Sequence, residues 1–122
     1  MLLEPLARGL NGNYPLQTGE DVVSLLSGPL DDVGNAMLLF DLFHLGANGV
    51  DIVAAATRLM PWIGHVQIAD SPGRGEPGTG SLPITETLRA LTDGGYGGLF
   101  ACEYKPTGPT AESLAWMASV AA

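Results

Sequence analysis

The chain has 122 residues, of which 46% are hydrophobic, and thirteen acidic against five basic side chains give a formal net charge of −8. This length predicts one domain with a real core, and no apolar run approaches the roughly 20 residues of a membrane span. The basic residues are scattered, which disfavours a nucleic-acid partner because such binding relies on clustered lysine and arginine. A single cysteine, Cys102, and a start without a signal-peptide pattern predict a cytoplasmic protein.

Four short apolar runs alternate with four helix-like segments. The runs lie at 1–4, 36–41, 63–70 and 98–104, and helices are expected near 19–28, 49–60, 83–93 and 110–120. Thr18 and Asp21 form a capping-box pattern before the first helix, Asn48 is expected to open the second, and Pro83 lies near the start of the third. Strands that alternate with helices of this length predict an α/β fold of βα units on a parallel sheet.

A side chain with a metal-binding oxygen lies at or near the end of each apolar run: Glu4, Asp41, Gln67 and Glu103. Ligands collect at the carboxyl ends of parallel strands, so these four side chains could converge on one point. Three carboxylates and one amide oxygen form a hard ligand set that favours Mg²⁺ or Mn²⁺. Taken singly, each residue could equally be a helix cap or a solvated loop residue. The repetition at four strand ends favours a metal site.

The third run continues into a glycine-rich stretch at 71–80. It lacks the Gly-Lys-Ser/Thr ending of a phosphate-binding loop. Its glycines would let the backbone approach a small ligand closely and let the loop move as a lid, although flexibility without function is the alternative. Cys102 is expected to face the helices, and Trp62 and Trp116 to belong to the core.

The segments LLEP, LLFDLFH, IGHVQIADSPGRGEPGTG and ACEYKP, in this order, resemble the hydroxypyruvate isomerase family of xylose isomerase-like (β/α)₈ TIM barrels. The resemblance runs from Glu4 to the helix around Trp116, and departs from the family where Ser81-Leu82 replaces an expected Glu-Ile pair. A whole barrel takes about 250 residues. Residues 1–122 are therefore expected to be a single domain and a fragment, the C-terminal half-barrel, whose four βα units correspond to strands 5–8.

The resemblance implies a divalent-metal-dependent isomerase that interconverts hydroxypyruvate and tartronate semialdehyde through an enediolate. Glu4 and Glu103 match the two family glutamates that act as acid/base and as metal ligands, and Asp41 and Gln67 match the remaining ligands. The related epimerases lead one to expect a histidine at the place of Gln67. The glutamine therefore favours the hydroxypyruvate isomerase branch.

Three further residues are expected to bind substrate. His44 lies three residues after Asp41, as in the family's Asp-x-x-His pattern, and its alternative is a loop histidine that caps the next helix. Arg74 could hold a substrate carboxylate, and its alternative is a solvated loop arginine. Lys105 would contact substrate or pair with Asp41. His65 is expected to support the ligands from one layer deeper, or to be a plain core histidine.

The expected partner is a small hydroxy-keto acid, with no nucleic acid and no membrane. One alternative is an isomerase or epimerase of a related keto-acid sugar. A second is a non-catalytic half-barrel or interaction module that pairs with a separate N-terminal half or with its own copy, since a half-barrel exposes both edges of its sheet. The apurinic endonuclease branch of the superfamily is disfavoured by the net charge of −8.

Overall fold

In the part of the chain that the structure describes, the sheet has four parallel strands, and each strand pairs with the next one along the chain. The structure is a computed structural model and describes residues 1–120. The strands are β1 (Leu2–Leu3), β2 (Met37–Asp41), β3 (Ile63–Ile68) and β4 (Phe100–Cys102). The order β1-β2-β3-β4 leaves β1 and β4 at the two edges, as expected for four consecutive units of a barrel that is not closed.

Within residues 1–120, five helices lie between and after the strands. They are α1 (Gly19–Leu26), α2 (Leu42–Ala47), α3 (Ile52–Leu59), α4 (Ile84–Asp93) and α5 (Met117–Val120), with 3₁₀ turns at Met60–Trp62 and Glu112–Leu114. The capping box before α1 is confirmed, since the Thr18 side chain accepts from the Asp21 N–H and the Asp21 carboxylate accepts from the Thr18 N–H. Helix α4 follows directly after Pro83, as expected.

The second helical segment differs from the expectation, because Asn48 does not open a helix. Asp41 accepts a hydrogen bond from the His44 N–H and starts α2 directly at the end of β2, and Asn48 ends that helix. The next helix, α3, begins at Ile52 with Asp51 as its N-cap. The helix cap considered as the alternative for each strand-end residue is thus present at Asp41, which caps α2 and also lies among the predicted ligands.

The C-terminal helix expected at 110–120 is also wrong in extent. Only a 3₁₀ turn and the short α5 form there, and Leu114 and Met117 are exposed and not buried. The apolar spacing of this segment predicts that Leu114, Met117 and Ala121 share one helix face, and Ala121 lies outside the described residues. This segment follows the outer strand β4, and residues 1–120 provide no further strand whose apolar surface a longer helix could cover. Trp116 and Trp62 are half-buried and pack against the core.

The two faces of the sheet have different environments. Leu38, Phe40, Val66 and Ile68 point under the helices and are fully buried, and with the apolar faces of α1, α3 and α4 they form the core. On the opposite face, which would line a barrel interior, Leu2 and Met37 are 44% and 37% exposed.

Cys102 was expected to face the helices, and this prediction is wrong. It lies in register with Ile68 but is exposed, because β4 is an edge strand.

None of the helices in the part of the chain that the structure describes is long and apolar enough to cross a membrane.

The two faces of the sheet can be compared with a pair of matched substitutions. Leu38→Ala removes a fully buried side chain and should lower the free energy of unfolding by about 2–5 kcal/mol. Leu39→Ala changes the neighbouring, half-buried residue on the opposite face and should cost clearly less. Urea unfolding at two protein concentrations measures both. Equal losses would mean that the face carrying Leu39 is covered in solution.

Candidate functional site

The carboxyl ends of the strands carry the four residues predicted as metal ligands. Asp41 ends β2 and is paired in register with Gln67 on β3. Glu4 directly follows β1, and Glu103 directly follows β4, where its N–H donates to the Ile68 carbonyl at 2.9 Å. Side chains alternate along a strand, so Gln67 and Glu103 project to the same face of the sheet as Asp41. All four residues therefore lie at the edge of the sheet that is formed by the carboxyl ends of the strands.

Two buried oxygens at this edge lack hydrogen-bond donors among the described residues: Asp41 Oδ2 and Gln67 Oε1. Asp41 itself is fully buried, and only its Oδ1 has a partner, the His44 N–H at 3.0 Å. An unsatisfied buried acceptor costs about 1–3 kcal/mol, and buried polar groups are normally paired. Because these two unpaired oxygens come from residues paired across neighbouring strands, they fit a cation bound between the strands.

Carboxylates packed together at this edge shift each other's proton affinity. Ligand atoms of Glu4, Asp41 and His44 lie within 4.8 Å of one another. Burial, followed by repulsion from Asp41 and Glu103, raises the pKa of Glu4 to about 7. Burial also raises the pKa of Asp41 to about 6, against the lowering effects of the His44 N–H and Arg74. This cluster of desolvated oxygens fits a divalent cation, whose charge would offset the repulsion.

Glu103 is placed differently from the other predicted ligands. It lies outside the group formed by Glu4, Asp41 and His44, it is exposed, and its Oε2 accepts a hydrogen bond from Arg74 Nη2 at 2.8 Å. It is still close enough to raise the pKa values of Glu4 and Asp41. The structure thus brings Glu4 and Asp41 together and turns Glu103 toward the glycine-rich loop.

His44 is buried beside the acidic cluster. Its Nδ1 accepts a hydrogen bond from the Ala7 backbone N–H at 3.0 Å, and its Nε2 lies 3.7 Å from Glu4 Oε1. Burial and the nearby Arg74 charge lower the pKa of His44, which favours the neutral ring. The alternative in which His44 caps a helix does not apply, since its own N–H is the group that Asp41 caps.

Arg74 is held at the site from three sides. Its guanidinium donates to Glu103 and lies over the Phe43 ring, 5.0 Å from the centroid. Its carbonyl accepts from the Lys105 N–H at 2.8 Å. Its φ of 57° is unusual for a residue other than glycine, and such backbone strain is concentrated at functional sites. These contacts disfavour a solvated loop arginine, and Phe43 is a contributor that the sequence analysis did not single out.

Lys105 and His65 make fewer contacts. Lys105 is exposed and lines a cavity of about 400 Å³ with Arg74 and Glu103. Among the described residues no ion pair joins it to Asp41. His65 is half-buried on the same strand face as Gln67, with no side-chain hydrogen bond to the described residues. The substrate contact of Lys105 and the supporting role of His65 stay predictions.

The glycine-rich loop is organised by Asp70, whose role the sequence analysis missed. The buried Asp70 carboxylate accepts from the N–H groups of Ser71, Gly78 and Leu82 at 2.8, 2.8 and 3.0 Å. A Cβ added at Gly80 would lie 2.5 Å from Asp70 Oδ1, so only glycine fits there. An aspartate that precedes a Pro/Gly-rich turn was the available signal. These bonds anchor the loop, and its movement as a lid stays a prediction.

Comparison with known proteins agrees with this architecture. Residues 1–120 match the family model for the xylose isomerase-like TIM barrel. The chain belongs to that family. It is 40% identical over 120 residues to a Streptomyces coelicolor protein named "putative hydroxypyruvate isomerase", a match that covers 96% of this chain and 43% of the relative. It is 38% identical over 90 residues to the hydroxypyruvate isomerase of Escherichia coli K12, covering 72% of this chain and 35% of that enzyme.

A solved structure gives the same result for the fold. The chain superimposes on an AP endonuclease, family 2, from Brucella melitensis with a TM-score of 0.85 and 32% identity, over 97% of this chain and 45% of that one. The chain thus spans less than half the length of the relatives it matches. This confirms the half-barrel, while its assignment to strands 5–8 stays a prediction.

The raised pKa values of the two clustered carboxyls predict how stability depends on pH. The folded chain keeps protons on Glu4 and Asp41 up to about pH 7 and 6, above the ordinary values of 4.5 and 3.8. The free energy of unfolding should therefore fall as pH rises from about 4 to 7 in chelator-treated protein. A Glu4→Gln, Asp41→Asn double variant should lose most of this fall. An unchanged pH dependence in the variant would contradict the assignment.

Asp70→Asn tests the anchoring of the loop. Asparagine keeps one acceptor oxygen but faces at least one backbone N–H with its own NH₂ group. Because hydrogen bonds to a charged acceptor contribute about 1.5–3 kcal/mol each, we expect a loss of about 2–4 kcal/mol and faster amide exchange at Gly78. Asp93→Asn, at the exposed end of α4, is the matched control and should change neither quantity. Unaltered exchange at Gly78 in Asp70→Asn would rule out the anchoring role.

Proposed function

We propose that this chain is the metal-binding half of a hydroxypyruvate isomerase, which interconverts hydroxypyruvate and tartronate semialdehyde with Mg²⁺ or Mn²⁺ as cofactor. The observation that carries the proposal is a pair of buried oxygens without hydrogen-bond partners among the described residues, Asp41 Oδ2 and Gln67 Oε1, on residues paired in register, with the Glu4 carboxylate close to that of Asp41. The names of its relatives support the substrate, and the oxygen-only character of these ligands supports the choice of ion.

Glu4, Asp41 and Gln67 would hold the cation, and Glu103 would join them by leaving Arg74. A divalent cation supplies polarisation of the substrate carbonyl and stabilises negative charge that develops on its oxygen. The charge of Glu103 already raises the pKa values of Glu4 and Asp41, so Glu103 lies near both carboxylates. Its side chain is exposed, so it could turn inward once its bond to Arg74 is broken. The inward turn of Glu103 would release the Arg74 guanidinium for a substrate.

The reaction moves one proton between neighbouring carbons and needs no external oxidant. A carboxylate takes a proton from C3 of hydroxypyruvate to give an enediolate, a proton returns to C2, and a hydroxyl proton passes from O3 to O2. We assign the two carbon-proton transfers to Glu4 and Glu103. Without a bound cation the pKa of Glu4 is about 7, and a bound cation would lower it and favour the carboxylate form that takes the first proton.

Arg74 is the residue best suited to recognise the carboxylate of the substrate. Its guanidinium lies over the face of Phe43, a contact that remains after Glu103 leaves, so less side-chain freedom is lost when it binds an anion. Lys105, on the wall of the same cavity, adds positive charge next to it. This requirement for an acid group distinguishes a keto-acid substrate from an uncharged sugar.

Two alternatives stay within the same fold. The open inner face of the sheet sets no upper limit on substrate length, so an isomerase of a longer keto-acid sugar would use the same residues. An apurinic endonuclease would need to bind a polyanion, which the net charge of −8 opposes. Tight DNA binding that weakens steeply with salt would favour the endonuclease alternative.

The proposed partner is a second set of four βα units that closes the barrel. Parallel edges at β1 and β4 and the exposed Leu2 and Met37 side chains need such a cover. These units would lie on the same longer polypeptide, on a separate N-terminal half or on a second copy of this chain. If none of them is present, we expect a non-catalytic module. The cytoplasmic location stays a prediction.

The isomerase assay decides the proposal. Hydroxypyruvate consumption and tartronate semialdehyde formation would be followed by NMR for the chain alone and for the chain mixed with the part of the Streptomyces relative that it does not cover. We expect metal-dependent turnover in the closed barrel, reduced by at least about 100-fold in Glu103→Gln, because loss of an acid/base group removes about 10²–10⁴ in rate. Glu86→Gln, an exposed change on α4, is the control.

A folded complex that binds Mn²⁺ but fails to convert hydroxypyruvate would overturn the proposed activity. Turnover of a longer keto-acid sugar by the same complex would favour the alternative substrate. Turnover that Glu103→Gln leaves unchanged would overturn the assignment of acid/base roles.

A further inference from the structure

The hydrogen bond that His44 receives has a chemical consequence for the site. A neutral imidazole has one protonated and one unprotonated nitrogen, and the bond made by one nitrogen decides the state of the other. A backbone N–H can only donate, so Nδ1, which accepts from Ala7 at 3.0 Å, is unprotonated. The proton of the neutral ring therefore lies on Nε2, the nitrogen that faces Glu4.

We propose that the Ala7 backbone amide, held in place by Asn48, locks His44 as the Nε2–H tautomer and makes it a fixed hydrogen-bond donor in the site. Although Nε2 lies only 3.7 Å from Glu4 Oε1, a metal ion could bind it only after the proton moved to Nδ1. That shift would set two N–H groups against each other in a buried position. His44 is thereby excluded from the ligand set, which leaves a cation with oxygen ligands alone.

The segment that carries the Ala7 amide is itself fixed to the helix that carries His44. Asn48, which ends α2, donates from Nδ2 to the Leu6 carbonyl at 2.9 Å and accepts at Oδ1 from the Arg8 N–H at 2.8 Å. Ala7 lies between these two contacts and is buried. The ring and its donor are thus held by one short helix, and Asn48 is the positioning residue.

A 180° rotation of the His44 ring would not preserve the hydrogen bond to Ala7. Rotation by 180° would place carbon atoms where Nδ1 and Nε2 now lie, and the buried Ala7 N–H would lose its acceptor, which costs about 1–3 kcal/mol. His44 is only 3% exposed and packs edge-on against Phe43, with 5.2 Å between the ring centroids, so water has little access to replace the bond.

With its tautomer fixed, the His44 ring directs its Nε2–H group toward the space next to Glu4. Nε2 is 3.7 Å from Glu4 Oε1, too far for a hydrogen bond, and it has no other partner among the described residues. An oxygen of a bound substrate that entered between them would accept the Nε2 proton. This last step rests on the proposed function, whereas the tautomer does not, so the two can fail separately.

Nitrogen-15 NMR of histidine-labelled protein tests the tautomer directly. The chain contains two histidines, and a His65→Asn variant identifies the signals of His44. At neutral pH we expect His44 to show an unprotonated Nδ1 and a protonated Nε2, with the other tautomer at least about tenfold less populated. A protonated Nδ1, or an even mixture of both tautomers, would overturn the proposal.

Substitutions that mimic one ring nitrogen test the donor and its support. His44→Asn keeps an acceptor near the Nδ1 position, so amide exchange at Ala7 should stay within about twofold, whereas His44→Ala should speed it about tenfold or more. Asn48→Ala leaves the ring intact and should shift its tautomer ratio toward the mixture of a free imidazole. Equal Ala7 exchange in all variants, or an unchanged ratio in Asn48→Ala, would contradict the positioning role.

Addition of Zn²⁺, a diamagnetic ion that accepts imidazole ligands, provides the most demanding check. The Nε2 signal of His44 should remain that of a protonated nitrogen at saturating Zn²⁺. Loss of the Nε2 proton on Zn²⁺ addition would show that the ring can serve as a ligand and would overturn its exclusion from the ligand set.

Discussion

The structure depends on one constraint: a parallel sheet collects the last polar residue of every strand at a single edge. Asp41 and Gln67 are brought side by side by the register of β2 and β3, and Glu4 follows β1 close to Asp41. Burial at this edge leaves two oxygens without donors among the described residues and raises the pKa of Glu4 to about 7. This desolvated cluster is unfavourable for folding by itself, so its presence points to a ligand that offsets the cost.

The residues around the acidic cluster form their hydrogen bonds with groups outside it, which leaves the cluster available to a ligand. His44 bonds to Ala7, Arg74 bonds to Glu103, and Asp70 binds the backbone of its own loop. None of these contacts satisfies Asp41 Oδ2. His44, Arg74 and Asp70 are thus held in place by hydrogen bonds, while Asp41 Oδ2 has no partner among the described residues. This is the arrangement expected of a preorganised binding site.

The sequence was sufficient for the elements whose signal is local or periodic. Alternating runs predicted four βα units, and Thr18 with Asp21 predicted the start of α1, because capping depends on residues three apart. The same reasoning was incomplete at Asp41, because it offered a helix cap as an alternative to a site residue, whereas Asp41 both caps α2 and lies in the acidic cluster. It failed after β4, where the length of a helix depends on whether a further strand lies beneath it.

The sequence indicated candidate site residues but little of their geometry. Residue type and strand position selected Glu4, Asp41 and Gln67, and the family resemblance selected Arg74; their roles stay predictions. Long-range contacts were not predictable, because the Ala7–His44 bond spans 37 positions and the Arg74–Glu103 bond spans 29. The role of Asp70 was the exception, since its partners lie within twelve residues and its turn signal was visible in the sequence.

Calorimetric titration of the purified chain with Mn²⁺ tests the central claim most directly, with Asp41→Asn and Gln67→Leu as variants and Glu86→Gln as the surface control. The account predicts saturable binding at one site, weakened about tenfold or more when either unpaired oxygen is removed and unchanged in the control. Folded variants that bind Mn²⁺ as tightly as the unaltered chain would show that these oxygens do not hold the ion, and would contradict the account.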